Sequence, residues 1–426
     1  MAPLVIVGAS LAGLRAAQGA RAAGFAGEIV VVGEERHLPY TRPPLSKGVL
    51  TGEETLESAS FPCNELDVTW RLGVRATGLD PQAKIMTLDG GETLAYDTAI
   101  LATGCRARPW TGPGAELDGL FTLRNLDDAL ALQDALRDQP KLAIVGAGFI
   151  GAEVAASARK LGLDVTLVDI AVLPVPALGQ VVGERCAQMH RERGVDLRLG
   201  TGIQAFHGDG SGRVREIELA DDTRIAAGVV VVALGAIPNT EWLEGSGLTL
   251  QPGVLCDDKL QAVGVDDVLC AGDIAAWPLE LASGEPVRIE HWTNAAEQGT
   301  LAGRNAVAPP EERKPYTSVP MFWSDQYDVK IQAVGLPRLA EKVVIVEDDG
   351  ERFVAIGERA GRVIAAYGWN GARRLPQYRR HISQGATRDD VLEAVKNDPK
   401  AFGAANVTYR VRTGNGTAVE EAEHLS

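Results

Sequence analysis

Cysteine is scarce and unpatterned in this 426-residue chain: Cys63, Cys105, Cys186, Cys256 and Cys270 are odd in number, and no two stand at CxxC or CxxxxC spacing. That excludes a CxxC redox dithiol and leaves the thiols to serve as small buried hydrophobes. The six histidines are scattered, with no pair at ligand spacing, so no metal site is expected. No apolar run reaches the roughly eighteen residues that cross a bilayer, and the apolar start lacks the basic stretch of a secretory signal. A cytoplasmic chain without membrane contact is the expectation. Positive charge is in deficit, with 42 Lys+Arg against 57 Asp+Glu for a net charge of −15, which disfavours nucleic acid as a partner. What is abundant is apolar material, 45% of residues, in a chain long enough for about three domains.

Two copies of one nucleotide-binding signature stand out. The first runs Leu4-Val5-Ile6-Val7-Gly8-Ala9-Ser10-Leu11-Ala12-Gly13 into an Ala/Leu-rich helix, then through Ile29-Val30-Val31-Val32-Gly33 to Glu34. The second reads Leu142-Ala143-Ile144-Val145-Gly146-Ala147-Gly148-Phe149-Ile150-Gly151, a helix, and Val165-Thr166-Leu167-Val168-Asp169. Glycine, without a Cβ, permits a tight turn, a close approach to a pyrophosphate and close packing of helix on strand. The helix N-terminus then offers amides and partial positive charge to the phosphates. A lone glycine motif is weak, but each copy here follows an apolar strand, precedes a helix and ends about twenty residues later in an acid fit to receive ribose hydroxyls. Ser10 replaces the middle glycine in the first copy, at some loss of room. Asp169, with no basic residue beside it, favours NADH over NADPH because a 2′-phosphate would be repelled.

A second repeat implies nesting. Thr98-Ala99-Ile100-Leu101-Ala102-Thr103-Gly104 and Val229-Val230-Val231-Val232-Ala233-Leu234-Gly235 each end a strand in a small-residue turn, so the second unit reads as an insertion in the first. Val268-Leu269-Cys270-Ala271-Gly272-Asp273 then completes the first unit, its acid either a hydrogen-bond acceptor for ligand or a helix cap. The expected fold class is α/β: two Rossmann-like dinucleotide-binding domains, 1–110 with 239–320 and the inserted 111–238, plus a C-terminal α+β domain over 321–403. Thr387-Arg388-Asp389-Asp390 opens a closing helix, and 404–426 reads as a flexible tail.

Further motifs carry a resemblance. Tyr40-Thr41-Arg42-Pro43-Pro44-Leu45-Ser46-Lys47, Leu123-Arg124-Asn125-Leu126-Asp127-Asp128, Cys270-Ala271-Gly272-Asp273, Arg288-Ile289-Glu290-His291-Trp292-Thr293-Asn294 and Phe322-Trp323-Ser324-Asp325-Gln326-Tyr327 together resemble the FAD-dependent, NADH-oxidising ferredoxin reductases of putidaredoxin-type and dioxygenase-type chains. The resemblance implies a glutathione reductase-like fold. By matching position it implies FAD held by Gly8, Ser10, Leu11, Ala12, Gly13 and Glu34, with Arg42, Lys47, Ala76, Ala102, Thr103, Gly104, Arg124, Gly272, Asp273, His291 and Trp292 completing the shell. NADH would lie on Gly146, Gly148, Phe149, Ile150, Gly151, Glu153, Asp169 and Gly235, with Glu290 on the nicotinamide side. Trp292 and Trp323 would line the isoalloxazine. The activity implied is electron transfer from NADH through FAD to a two-iron two-sulfur ferredoxin serving an oxygenase, in a monomer or homodimer.

Each residue also has a plainer use. Lys47, in a Pro-Pro-fixed turn, can place a cation at the flavin edge or stand as a solvated lysine. Glu153 can pair with Lys47 and part from it when NADH enters, or simply complement a helix N-terminus. The tryptophans can be packing. Arg304, Arg373, Arg374, Arg379 and Arg380 can steer an acidic ferredoxin despite the net charge, or pair with acids of the same chain. Two other functions share the scaffold. A disulfide reductase or NADH oxidase needs a cysteine where this chain has the Arg42–Lys47 turn, and an apoptosis-factor-like protein would bind NADH without ferredoxin turnover.

Overall fold

Four-residue strands made wholly of aliphatic side chains, such as Leu4–Val7, Leu142–Val145 and Val229–Val232, are buried on both faces, the pattern of parallel sheets covered by helices. The computed structural model describes residues 2–63, 65–371, 373–398, 402, 410–413 and 419–420. The fold is α/β, in two compact units: Met1–Thr41, Leu56–Arg106 and Ala236–Pro320 form one, and Arg42–Thr55, Ala107–Gly235 and Met321–Ser426 the other. Among the described residues no helix is long and apolar enough to cross a membrane.

The first unit holds a five-stranded parallel sheet in the order Val268–Cys270, Thr98–Leu101, Leu4–Val7, Ile29–Gly33, Thr69–Leu72. Two helices, Leu11–Ala22 and Trp292–Val307, pack on each other through small residues. A Cβ added at Gly303 would stand 1.9 Å from the Ala16 carbonyl oxygen, and one at Gly299 would stand 2.4 Å from that of Ala12. The backbones therefore meet directly, Ala12 and Ala16 in the first half of Leu11–Ala22 against Gly299 and Gly303 of Trp292–Val307.

The second unit repeats the pattern in the order Asp196–Leu199, Val165–Asp169, Leu142–Val145, Val229–Val232, Leu120–Phe121, all parallel. It also carries an antiparallel sheet, Met321–Gln326, Val329–Gly335, Arg362–Trp369, Phe353–Arg359 and Lys342–Asp348. One apolar core joins the two. Val181, Val182, Cys186 and Met189 of the helix Gly179–Glu192 pack with Phe322, Ile331, Phe353, Tyr367 and Trp369 of the antiparallel sheet.

Two segments bear on the expected division. Residues 42–55, placed by sequence with the first domain, belong to the second unit because they are tied to its helices: Ser157 Oγ donates to the Ser46 carbonyl at 2.7 Å, Gln133 to that of Val49 at 2.6 Å, and Lys160 pairs with Glu53 at 2.6 Å. In the stretch read as a tail, Arg410–Thr413 pairs antiparallel with Lys342–Asp348 and Val419–Glu420 with Arg410–Thr413, extending the sheet. The remainder of 404–426 lies outside the described residues. The closing helix runs Arg388–Asn397 from a Thr387 cap whose side chain exchanges hydrogen bonds with Asp390.

Candidate functional site

In the first unit Gly8–Gly13, Ala102–Gly104 and Gly272–Asp273 stand at the carboxyl ends of three adjacent strands, and Glu34 at that of a fourth, where open α/β sheets bind ligands. Gly8 has φ +115°, and a Cβ there would lie 2.1 Å from the Ala102 carbonyl oxygen; one at Gly13 would lie 1.9 Å from that of Gly8. No other residue fits either place. Ser10, by contrast, is the N-cap with extended backbone, which explains why a side chain is tolerated there. Its hydroxyl does not cap the helix, and the first turn, with buried Leu11 and Ala12, holds no acid. The amides at this N-terminus are therefore uncommitted to carboxylate.

The surrounding turns are held by reciprocal polar contacts. Thr103 Oγ1 donates to the Asn239 carbonyl at 3.1 Å, Asn239 Nδ2 donates to that of Thr103 at 2.9 Å, and Gly104 adopts φ +64°. The Gly272 amide donates to Gln298 at 2.9 Å, while Asp273 accepts from the Cys105 thiol at 3.2 Å. Glu34 is exposed at the end of its strand, 3.8 Å from Arg75. Ala76 is buried at the start of Ala76–Asp80. Glu290 pairs with Arg288 at 2.6 Å. His291 occupies the N-cap position, without a side-chain cap, of the helix whose first residue, Trp292, donates to Thr41 at 3.2 Å. Burial pulls the His291 imidazole down to about 4, against the opposing pull of the Asp273 carboxylate.

The second glycine loop has the same build. Gly146 has φ +107° with a Cβ position 2.3 Å from the Ala233 carbonyl oxygen, and a Cβ at Gly151 would be 1.8 Å from that of Gly146. Gly148 differs. A Cβ there meets nothing within 4 Å, so its side is open while both flanking glycines are crowded. The helix Phe149–Lys160 has no side-chain cap and no acid in its first turn. Asp169 accepts from the amides of Ala147 at 2.5 Å and Ala171 at 2.7 Å, tying the acid to the loop it serves. Phe149 packs edge-on against Phe322, with ring centroids 4.8 Å apart, and Ile150 is 42% exposed. Gly235, at φ +88°, has open space around its Cβ position. Both loops thus open a helix with no side-chain cap and no acid in its first turn, and the second has open space at Gly148, which fits a dinucleotide diphosphate at each.

Lys47 and Glu153 meet. The ammonium lies 2.6 Å from Glu153 Oε2 and also donates to the Pro43 carbonyl at 3.0 Å. Glu153 is only 4% exposed, and a buried carboxylate needs more than one partner. It has them: Ser46 Oγ donates to Oε2 and Ser324 Oγ to Oε1, each at 2.6 Å. Sequence reasoning found the pair but missed both serines. Strand alternation was the available signal, because Phe322, Ser324 and Gln326 share the buried face of Met321–Gln326. Trp323 lies half-buried on the opposite face of that strand from Glu153's partner. Arg42 donates to the Arg124 carbonyl at 2.6 Å, so these two predicted residues are also together.

The arginine cluster divides. Arg374 pairs with the buried Glu347, and Arg388 reaches Glu358 and Asp389, so these cations are compensated by acids of the same chain. Arg373 and Arg380 are exposed, as is Arg304 in the last turn of Trp292–Val307, while Arg379 is half-buried.

Residues 2–299 match the family described as pyridine nucleotide-disulphide oxidoreductase, and residues 321–400 match the reductase C-terminal family. Similar proteins include rhodocoxin reductase of Rhodococcus erythropolis, 36% identical over 80% of either chain. The ferredoxin–NAD(+) reductase component of the biphenyl dioxygenase system of Paraburkholderia xenovorans is 36% identical over 87% of this chain and 90% of its own. A solved structure, a covalent putidaredoxin reductase–putidaredoxin complex, superimposes with a TM-score of 0.88 at 29% identity, covering 95% of this chain and 98% of that one.

Proposed function

Because the chain belongs to the ferredoxin–NAD(+) reductases of the pyridine nucleotide-disulphide oxidoreductase family, we propose that it carries electrons from NADH through FAD to a two-iron two-sulfur ferredoxin serving an oxygenase in the cytoplasm. Bound FAD supplies a ring that accepts an electron pair from a nicotinamide and releases electrons singly. The protein supplies binding, orientation and field.

In the first unit Gly8, Ser10, Leu11, Ala12 and Gly13 hold the FAD diphosphate on backbone amides, with Glu34 on the adenosine ribose. Ala76, the Ala102–Thr103–Gly104 turn, Gly272, Asp273, His291 and Trp292 hold the remainder, with Glu290 beside them on Arg288. In the second unit Gly146, Gly148, Phe149, Ile150 and Gly151 receive the NADH diphosphate, Asp169 its ribose, and Gly235 leaves it room. Lys47 and Glu153 are the gate, parting as NADH enters. Exposed Arg304, Arg373 and Arg380 meet the acidic ferredoxin.

One observation carries this reading: two glycine loops of the same build, each opening an uncapped helix. The disulfide-reductase alternative finds no support, since the Arg42–Lys47 turn has no thiol and all five cysteines are buried. The test is to purify the chain, record a flavin spectrum, and add NADH or NADPH anaerobically, then two-iron ferredoxins. Rapid bleaching by NADH followed by ferredoxin reduction is expected. A protein without flavin, or a flavin that NADH leaves oxidised, would refute the proposal.

A further inference from the structure

Glu153 is the end of a longer line of buried polar groups. Ser324, which donates to it, accepts from Gln326 Nε2 at 3.2 Å. Gln326 Oε1 lies 3.0 Å from His190 Nε2, and His190 Nδ1 lies 3.1 Å from the Tyr327 hydroxyl. Ser324, Gln326 and His190 are all fully buried. The donors can be assigned along the whole line. An amide oxygen only accepts, so His190 carries its proton on Nε2 and presents a bare Nδ1, to which Tyr327 donates. Gln326 in turn fills the acceptor side of Ser324 and leaves the serine proton to point at the carboxylate. Every hydrogen bond runs one way, from Tyr327 to Glu153.

The protonation states agree with that direction. Burial draws His190 down to about 4 and pushes the Tyr327 phenol up to about 12, so near neutrality one is an uncharged acceptor and the other a donor. Tyr327 itself is held at a backbone cost. It sits in the two-residue turn joining Met321–Gln326 to Val329–Gly335 with φ +56°, a left-handed conformation that bulky side chains avoid. The Arg193 guanidinium lies over its ring at 4.8 Å from the centroid, and Arg193 also pairs with Asp328 of the same turn. The phenol is thereby aimed at His190 from both sides.

We propose that Ser324, Gln326, His190 and Tyr327 are positioning residues that hold Glu153 in its place when Lys47 leaves it, and so set how readily NADH enters. The inference rests on the reading of Lys47–Glu153 as the gate. When the pair is closed, Glu153 has an ammonium and two hydroxyls. When it is open, only the hydroxyls of Ser46 and Ser324 remain to satisfy a buried charge, so the Ser324 bond matters more in the open state than in the closed one. Its loss makes opening harder. Gln326, His190 and Tyr327 act only through that bond, and their removal has weaker effects with distance.

The test uses the full-length holoenzyme and reads NAD+ affinity by equilibrium titration alongside KM and kcat for NADH. Ser324→Ala is expected to raise the NAD+ Kd and the NADH KM about fivefold, with kcat changed less, and Ser324→Thr to restore both. Gln326→Leu and Tyr327→Phe are expected to give about threefold and less than twofold. The double variant Ser324→Ala/Gln326→Leu is expected to match Ser324→Ala alone, because Gln326 has nothing left to act through. Melting temperature and flavin content report on folding separately. Variants that lower the melting temperature while leaving Kd unchanged, or a double variant whose effects add, overturn the relay. Glu153→Gln separates the two ideas. If it alters Kd while Ser324→Ala does not, the relay alone is wrong; if it too leaves Kd unchanged, the gate is wrong and the relay goes with it.

Discussion

Replacing Gly148 and Gly151 by alanine in turn separates binding from folding within one loop. At Gly151 the new Cβ would lie 1.8 Å from the Gly146 carbonyl oxygen. Ordinary van der Waals contact begins at 3.4 Å, so the helix Phe149–Lys160 must recede by about 1.6 Å (3.4 − 1.8) from its sheet. Overpacking of that kind costs about 3 kcal/mol, which for a unit of this size lowers the melting temperature by roughly 6 to 12 °C. At Gly148 the Cβ meets nothing, and φ −69°, ψ −169° is open to alanine. Stability should change by less than about 1 kcal/mol, since the lost cap preference and the reduced freedom of the unfolded chain oppose each other. The methyl group instead occupies the approach of the pyrophosphate, and NADH affinity should fall ten- to a hundredfold, about 1.4 to 2.8 kcal/mol. Calorimetry and nucleotide titration on both variants read the two effects. A Gly148→Ala protein that binds NADH normally, or one that melts as early as Gly151→Ala, would show that the open side of the loop does not face a ligand.

Four other outcomes follow. Ser10→Gly in the first loop should leave FAD bound and the melting temperature nearly unchanged, because the backbone there is already extended and its hydroxyl caps nothing; dissociation of flavin would contradict this. Acid should destabilise the fold between about pH 6.5 and 4, because His190 and His291 titrate near 4 in the native state and at about 6.5 when unfolded. Each stays neutral in the fold while the unfolded chain takes up a proton. The stability is complete above 6.5 and lost as pH falls through 4, on the order of 3 kcal/mol for each, and urea titrations at pH 7 and 5 on wild type and His190→Gln measure it. Arg374→Ala should destabilise by about 3 to 5 kcal/mol by stranding the buried Glu347, with no change in the salt dependence of ferredoxin reduction. Arg373→Ala and Arg380→Ala should do the reverse, slowing ferredoxin reduction at low salt and flattening its dependence on ionic strength; unchanged salt slopes would remove these two from the docking face.

Sequence reading succeeded where one local pattern had one physical solution. Four aliphatic residues followed by Gly8 or Gly146 can be little other than a buried strand and a glycine turn, and both loops stand as expected. The Lys47–Glu153 pair was also legible, because the relatives' motifs placed both residues. What stayed hidden depended on three-dimensional neighbours. Ser46 and Ser324 are ordinary serines in the sequence and become partners of Glu153 only through the packing of the antiparallel sheet on the helix Phe149–Lys160. His190 looked like one of six isolated histidines until Gln326 was brought to it. Glu347 and Glu358 precede Arg374 and Arg388 in the chain and become their partners only through the fold. The segment 42–55 joined the unit with which it exchanges hydrogen bonds, not the one preceding it in the chain.

The shared core of Gly179–Glu192 and the last sheet constrains how such a chain can be shortened or recombined. Cutting near residue 320 would leave Val181, Val182 and Met189 without their cover, a greasy stripe on a soluble fragment and a ready seed for aggregation. A graft that swaps in another protein's terminal module would have to bring a matching helix along with it.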